Sequence, residues 1–139
     1  MEITNEKSNV LTVSVKSFSY QKGIPYDKNG HGGGFVFDCR ALNNPCRIKE
    51  FENLTGKDAE VTEFLVNNSH VVAFLDLAEK LVSQSVEKYI QLGYTHLEVN
   101  FGCTGGQHRS VYCAETMAKF LKKAFPQINV AVKHLEMEK

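Results

Sequence analysis

The sequence predicts an α/β fold: a mainly parallel sheet of about four strands with crossover helices. Three observations carry that expectation. Short segments with apolar residues at every second position are spread along the chain. Apolar residues at helical spacing run between them, and a glycine-rich stretch sits where a strand pattern turns into a helical one. At 139 residues the chain is long enough to bury a core without staples, and no repeat or low-complexity tract divides it. It reads as one domain over residues 10–139 behind a polar, flexible N-terminal segment, 1–9.

Val10 to Phe18 sets Leu11, Val13 and Val15 on one side and Thr12, Ser14 and Lys16 on the other, a strand with one buried face. The stretch from Gly23 to Gly34 is too rich in glycine to be regular. It reads either as a connection or as a lid over a site, with His31 either solvated or serving as a ligand. Phe35 to Arg40 is a second strand that ends in charge. Ligands of open α/β sheets bind beyond the carboxyl ends of parallel strands. If this strand runs parallel to Leu97–Phe101, Asp38 and Arg40 therefore share a crevice with the glycine-rich stretch; the alternative is an ion pair that ties down the next loop.

Asn43-Asn44-Pro45 marks a turn, and Leu54-Thr55-Gly56-Lys57-Asp58 a second break. Val61, Phe64 and Leu65 predict a short helix from about Asp58 to Asn67-Asn68. Ser69 is placed to cap a long crossover helix, whose stripe runs from Val71 and Leu75 through Val82 to Ile90 and stops at Gly93. Tyr94 to Phe101 is a strand, Arg109 to about Ala124 a helix halted by Pro126, and Ile128, Val130 and Val132 a last strand. The polar alternate positions of the strands imply a sheet thinly covered on one side.

The segment Gly102-Cys103-Thr104-Gly105-Gly106-Gln107-His108-Arg109-Ser110 is thus a strand-to-helix loop. The first N–H groups of a helix lack partners within it, and the aligned peptide dipoles leave positive charge there. Glycines let backbone approach an anion closely, and Arg109 adds a planar fork of donors suited to phosphate. Thr104, His108 and Ser110 supply further polar atoms. The loop reads as an anion cradle, with an ordinary tight turn as the plainer alternative.

Composition narrows the function. Sixteen basic and sixteen acidic residues balance, which argues against binding nucleic acid by bulk attraction alone. A local patch from Lys16, Lys22, Arg40, Arg109, Lys119, Lys122, Lys123 and Lys133 remains as a candidate RNA contact, against the alternative of a solvated helix face. The four cysteines form no CxxC pair and no disulfide framework, which indicates no metal site and free thiols in a reducing cytoplasm. No apolar run has the length of a membrane span. No cofactor is called for.

Cys103 to Ser110 satisfies C-x-x-G-x-x-R-[ST], which resembles the signature of cysteine-dependent protein phosphatases. A thiol at a helix N-terminus beside Arg gains thiolate character, so Cys103 is the alternative nucleophile. Against it stand Gly102, where those enzymes usually carry His, and the lack of a separate Asp loop unless Asp38 or Asp27 serves. On balance the residues favour binding over catalysis.

A second resemblance covers far more of the chain. Ser17-Phe18, Gly23-Ile24-Pro25, Phe37-Asp38-Cys39-Arg40, Asn44-Pro45, Leu54-Thr55-Gly56-Lys57-Asp58 and Gly102 to Ser110 together resemble the C-terminal domain of the RapZ family, in its order and spacing. The resemblance implies an α/β domain related to a phosphofructokinase subdomain, with a non-catalytic sugar-phosphate pocket. In enterobacterial members this domain binds small RNAs and glucosamine-6-phosphate and acts as an adaptor for RNase E. It implies ligand-binding roles for Asp38, Arg40, Cys103, Thr104, Gly105, Gly106, His108, Arg109 and Ser110. A phosphorylated small molecule, and RNA or an RNA-processing protein, are the implied partners. The chain departs from those members at Cys46, where they carry a pocket His, at Gln21, where they carry Lys, in the glycine-rich insertion after Asp27, and at Leu135 and Glu136 in the tail. No G-x-x-x-x-G-K-[ST] occurs, so the nucleotide-binding half that usually precedes this domain is expected to be missing.

Overall fold

A computed structural model describes residues 10–27 and 30–137, apart from the side chain of Cys46. The segment 1–9, expected to be flexible, lies outside the described residues. Four strands, β1 (Thr12–Ser19), β2 (Gly34–Asp38), β3 (His96–Cys103) and β4 (Asn129–His134), form one sheet in the order β2-β3-β1-β4. Every pairing is parallel. Three α-helices, α1 (Ala59–Asn68), α2 (Val71–Leu92) and α3 (Arg109–Ala124), complete the architecture, with 3-10 turns at Pro45–Arg47 and Lys49–Phe51. The α/β fold expected from the sequence is the fold found.

Local chemistry explains where the helices begin and end. The Ser69 hydroxyl donates to the Leu65 carbonyl at 2.6 Å and accepts the Val71 N–H at 3.2 Å, so one side chain closes α1 and opens α2. Gly93 ends α2 at φ 75°, a left-handed conformation that costs glycine little, while the Gly93 and Tyr94 N–H groups return to the Ile90 and Tyr89 carbonyls. Along α2, Val71, Leu75, Ala78, Val82 and Val86 form the buried stripe.

The helices pack on one side of the sheet. Val13, Val15, Leu97, Val99 and Phe101 meet α1, α2 and α3 in a single core. Burying each such side chain contributes roughly 1.5–3 kcal/mol before chain entropy is counted. The alternate positions, Thr12, Ser14, Lys16, Glu98 and Asn100, face the other side. That polar face is crossed by the link from β1 to β2, in which no helix occurs among the described residues, in keeping with the irregular glycine-rich stretch read from the sequence. Pro25 and Tyr26 lie beside Lys16 and Glu98 there. The Asp27 carboxylate accepts the N–H groups of His31 at 2.9 Å and Gly33 at 3.4 Å, and Gly30, Gly32 and Gly33 adopt positive φ. A short loop rich in backbone hydrogen-bonding groups can cross a polar sheet face that a helix would need apolar residues to cover. None of its described residues lines the cavities at the 102–110 loop.

Candidate functional site

Register brings the carboxyl ends of three strands together: Asp38 of β2 lies opposite Gly102 of β3, and Ser19 of β1 opposite Cys103. Gly102 is required by its neighbours, since a Cβ there would sit 2.3 Å from Phe18 Cζ and 2.6 Å from Tyr20 Cε2. The loop beyond β3 is held from several directions. The Ser19 hydroxyl donates to the Thr104 carbonyl at 2.6 Å, and the Gly56 N–H donates to the Gln107 carbonyl at 2.8 Å. Nε2–H of His108 donates to the Phe51 carbonyl at 3.0 Å. Cys103 Sγ accepts the Gly106 N–H at 3.3 Å and lies 3.2 Å from Ser110 Oγ. Both Cys103 and Ser110 are buried.

Arg109 is the electrostatic centre. Although only 4% exposed, it lacks a carboxylate partner among the described residues. Its Nη1 donates to the carbonyls of Arg40 at 2.9 Å and Leu42 at 3.0 Å, while Nε has no hydrogen-bond partner. A buried cation without a counter-charge is costly, and an anion beside it offsets that cost. Two cavities meet the side chain. One, of about 180 Å³, is lined by Asn44, Glu52, Cys103, Gly105, Gln107 and His108 with Arg109; the other, of about 660 Å³, includes Arg40, Asn44, Arg47 and Thr104. The site therefore joins an unneutralised guanidinium to a glycine-rich helix N-terminus and has room for a small polar molecule.

Asp38 and Arg40 form a bidentate ion pair, with Nε–Oδ1 2.9 Å and Nη2–Oδ2 2.7 Å, and the guanidinium stacks 3.7 Å over Tyr20. Hydrogen bonding from Arg40 holds the Asp38 carboxyl below its ordinary range. The pair is about half exposed. Arg40 lines the larger cavity and holds Arg109 with its carbonyl, whereas Asp38 lines neither cavity. Lys119, Lys122 and Lys123 lie on the exposed side towards the end of α3, the last two about 20 Å from Arg109 by helical rise. Lys133 shares the polar sheet face with Lys16. Asn44, Gln107 and Gly56 belong to the site but were not picked out by chemistry; all three occur in the motif segments that carried the family resemblance.

Residues 11–138 match the model of the RapZ C-terminal domain. The chain belongs to that family. The match spans all four strands and the whole 102–110 loop. A nucleotide-binding protein of Cereibacter sphaeroides is 39% identical over 130 residues, 93% of this chain and 40% of that protein. One from Acidobacterium capsulatum is 41% identical over 134 residues, 96% of this chain and 40% of its own length. One from Thermosipho melanesiensis is 42% identical over 106 residues, 76% of this chain and 36% of that relative. This RapZ-type domain thus spans about two fifths of the curated relatives it matches. Among its described residues no helix is long and apolar enough to cross a membrane.

Proposed function

We propose that this RapZ-type domain is a non-catalytic sensor of a phosphorylated metabolite, a hexosamine phosphate, bound at the 102–110 loop. The observation that carries the reading is the buried Arg109 guanidinium with Nε unpartnered beside two cavities. The phosphate takes Arg109 and the N–H groups at the start of α3, and the sugar extends towards Arg40 and Asn44. Occupancy is relayed to RNA or an RNA-processing protein, with the exposed lysines of α3 as the contact. The relatives named nucleotide-binding proteins are chains more than twice as long. No phosphate-cradling G-x-x-x-x-G-K-[ST] motif lies within these 139 residues, so the proposal assigns no nucleotide to this part.

Catalysis by Cys103 has little support. Its thiol is 2% exposed and its sulfur is engaged by Gly106 and Ser110. The test is a thermal-shift series with glucosamine-6-phosphate, glucosamine and inorganic phosphate, run beside a phosphate-release assay. Ligand at one hundred times its dissociation constant should add about 2.7 kcal/mol to unfolding, without turnover. Absence of a shift with every phosphorylated ligand would refute the sensor, and phosphate release lost in Cys103→Ser would establish the enzyme instead.

A further inference from the structure

On the polar face of the sheet, far from the 102–110 loop along β3, three groups with no part in the proposed function converge. Asp27 comes from the β1–β2 crossover, and His96 and Glu98 from the start of β3; one ligand atom from each lies within 4.8 Å of the others. The side chains of Asp27 and Glu98 are 2% exposed and that of His96 is 9% exposed. Two buried carboxylates must be compensated, and Lys16 Nζ lies 3.0 Å from Glu98 Oε2.

The distances identify what is missing. His96 Nε2 lies 3.7 Å from Asp27 Oδ2 and 3.6 Å from Glu98 Oε2, and neither His96 Nε2 nor Glu98 Oε1 has a hydrogen-bond partner. A charge-assisted hydrogen bond would draw these atoms to about 2.7–2.9 Å. Ligands of one tetrahedral ion, each about 2.0–2.2 Å from the metal, stand roughly 3.4 Å apart. The two separations from His96 are close to the second arrangement. A further imidazole is at hand, because the His31 ring lies 4.7 Å from that of His96. One nitrogen and two carboxylate oxygens suit a borderline divalent ion of the first transition row better than Mg²⁺ or Ca²⁺, which prefer oxygen alone.

We propose that Asp27, His96 and Glu98 bind a divalent transition-metal ion of the zinc class, which fastens the glycine-rich crossover to β3. The ion has a structural role. Among its described residues the crossover has no helix and four glycines at positive φ, so a bridge between Asp27 and β3 removes much of the freedom it would otherwise keep.

The test is calorimetric titration of Zn²⁺, Mn²⁺ and Mg²⁺ into chelator-treated 139-residue chain, repeated on His96→Ala, Glu98→Gln and Asp27→Asn. One Zn²⁺ per chain is expected, with a raised melting temperature and an affinity reduced by roughly tenfold or more in each variant. Should a variant fail to fold, Co²⁺ added to the unaltered chain gives the same answer: visible bands without a thiolate charge-transfer band are expected. No uptake of any transition ion would overturn the site. Uptake unaffected by His96→Ala and Glu98→Gln, or a Co²⁺ spectrum with thiolate bands, would overturn it in favour of the cysteines.

Discussion

Gly105 and Gly106 are neighbours with opposite physical reasons to be glycine. At Gly106, φ is 75° and a Cβ would meet Ser19 N at 2.9 Å and Phe18 C at 3.0 Å, so any side chain strains the loop. At Gly105 nothing lies within 4 Å of a Cβ, and the position opens into the smaller cavity. Gly105→Glu should therefore leave the melting temperature nearly unchanged while abolishing stabilisation by a sugar phosphate, since it puts a carboxylate where the phosphate would sit. A retained ligand shift in this variant would mean that the anion binds elsewhere. Asp38 offers a second check. Its carboxyl is held low chiefly by the Arg40 hydrogen bond, so the pair stabilises the fold above the ordinary value of 3.8 and loses that contribution as pH falls through the lowered one. Both side chains are half exposed, so solvent screening keeps the contribution small. Urea denaturation of Asp38→Asn should show a small loss at pH 7 that shrinks as pH falls below 3.8.

Between elements, the decisive contact is that of the 54–58 turn with the start of α3. Gly56 approaches so closely that a Cβ would stand 2.3 Å from the His108 carbonyl oxygen and 2.5 Å from Tyr112 N, both backbone atoms that cannot swing away. Gly56→Ala should cost about 2 kcal/mol or more in denaturant unfolding and should also weaken ligand binding, because the turn positions the Gln107 carbonyl. A neutral result would show that the turn and α3 separate readily. The end of β4 is tied in by a buried relay: His134 Nε2 lies 2.6 Å from Glu115 Oε2 of α3, and His134 Nδ1 lies 2.7 Å from Ser17 Oγ of β1. The Glu115 carboxylate accepts from Nε2–H. The relay joins a strand, a helix and the edge of the sheet close to Gly106.

Across the whole molecule, charge is partitioned by face. The lysines near the end of α3 stand on the helical side, and Lys16 and Lys133 on the polar side of the sheet. If RNA binds along α3, the combined Lys119→Ala, Lys122→Ala and Lys123→Ala variant should lose affinity about equally for all sequences and shallow the dependence on salt, whereas Lys133→Ala should not. Equal effects from both would place the nucleic acid across the sheet edge, and no effect from either would remove RNA from the proposal.

The period-two and helical patterns were enough to place all four strands and three helices within a few residues, because apolar spacing reflects which face of each element is buried. The anion loop was legible for a similar reason: glycine, arginine and hydroxyl residues at a strand-to-helix junction carry local chemistry wherever the junction lies. Asn44, Gln107 and Gly56 carried no such signal, since a turn residue and a glycine reveal their role only when distant backbone meets them. The role of the crossover stayed open between lid and connection, as nothing local distinguishes a glycine-rich lid from a glycine-rich bridge over a sheet. The Asp27, His96 and Glu98 cluster was equally hidden, its members separated by almost seventy positions and joined only by parallel pairing of β3 with its neighbours. The sequence by itself determined the fold class, the elements and the anion loop, because these depend on neighbours along the chain. Which charges are buried together, which arginine lacks a counter-ion and what the crossover covers were decided by tertiary structure alone, because burial and charge pairing depend on groups that only folding brings within a few ångströms.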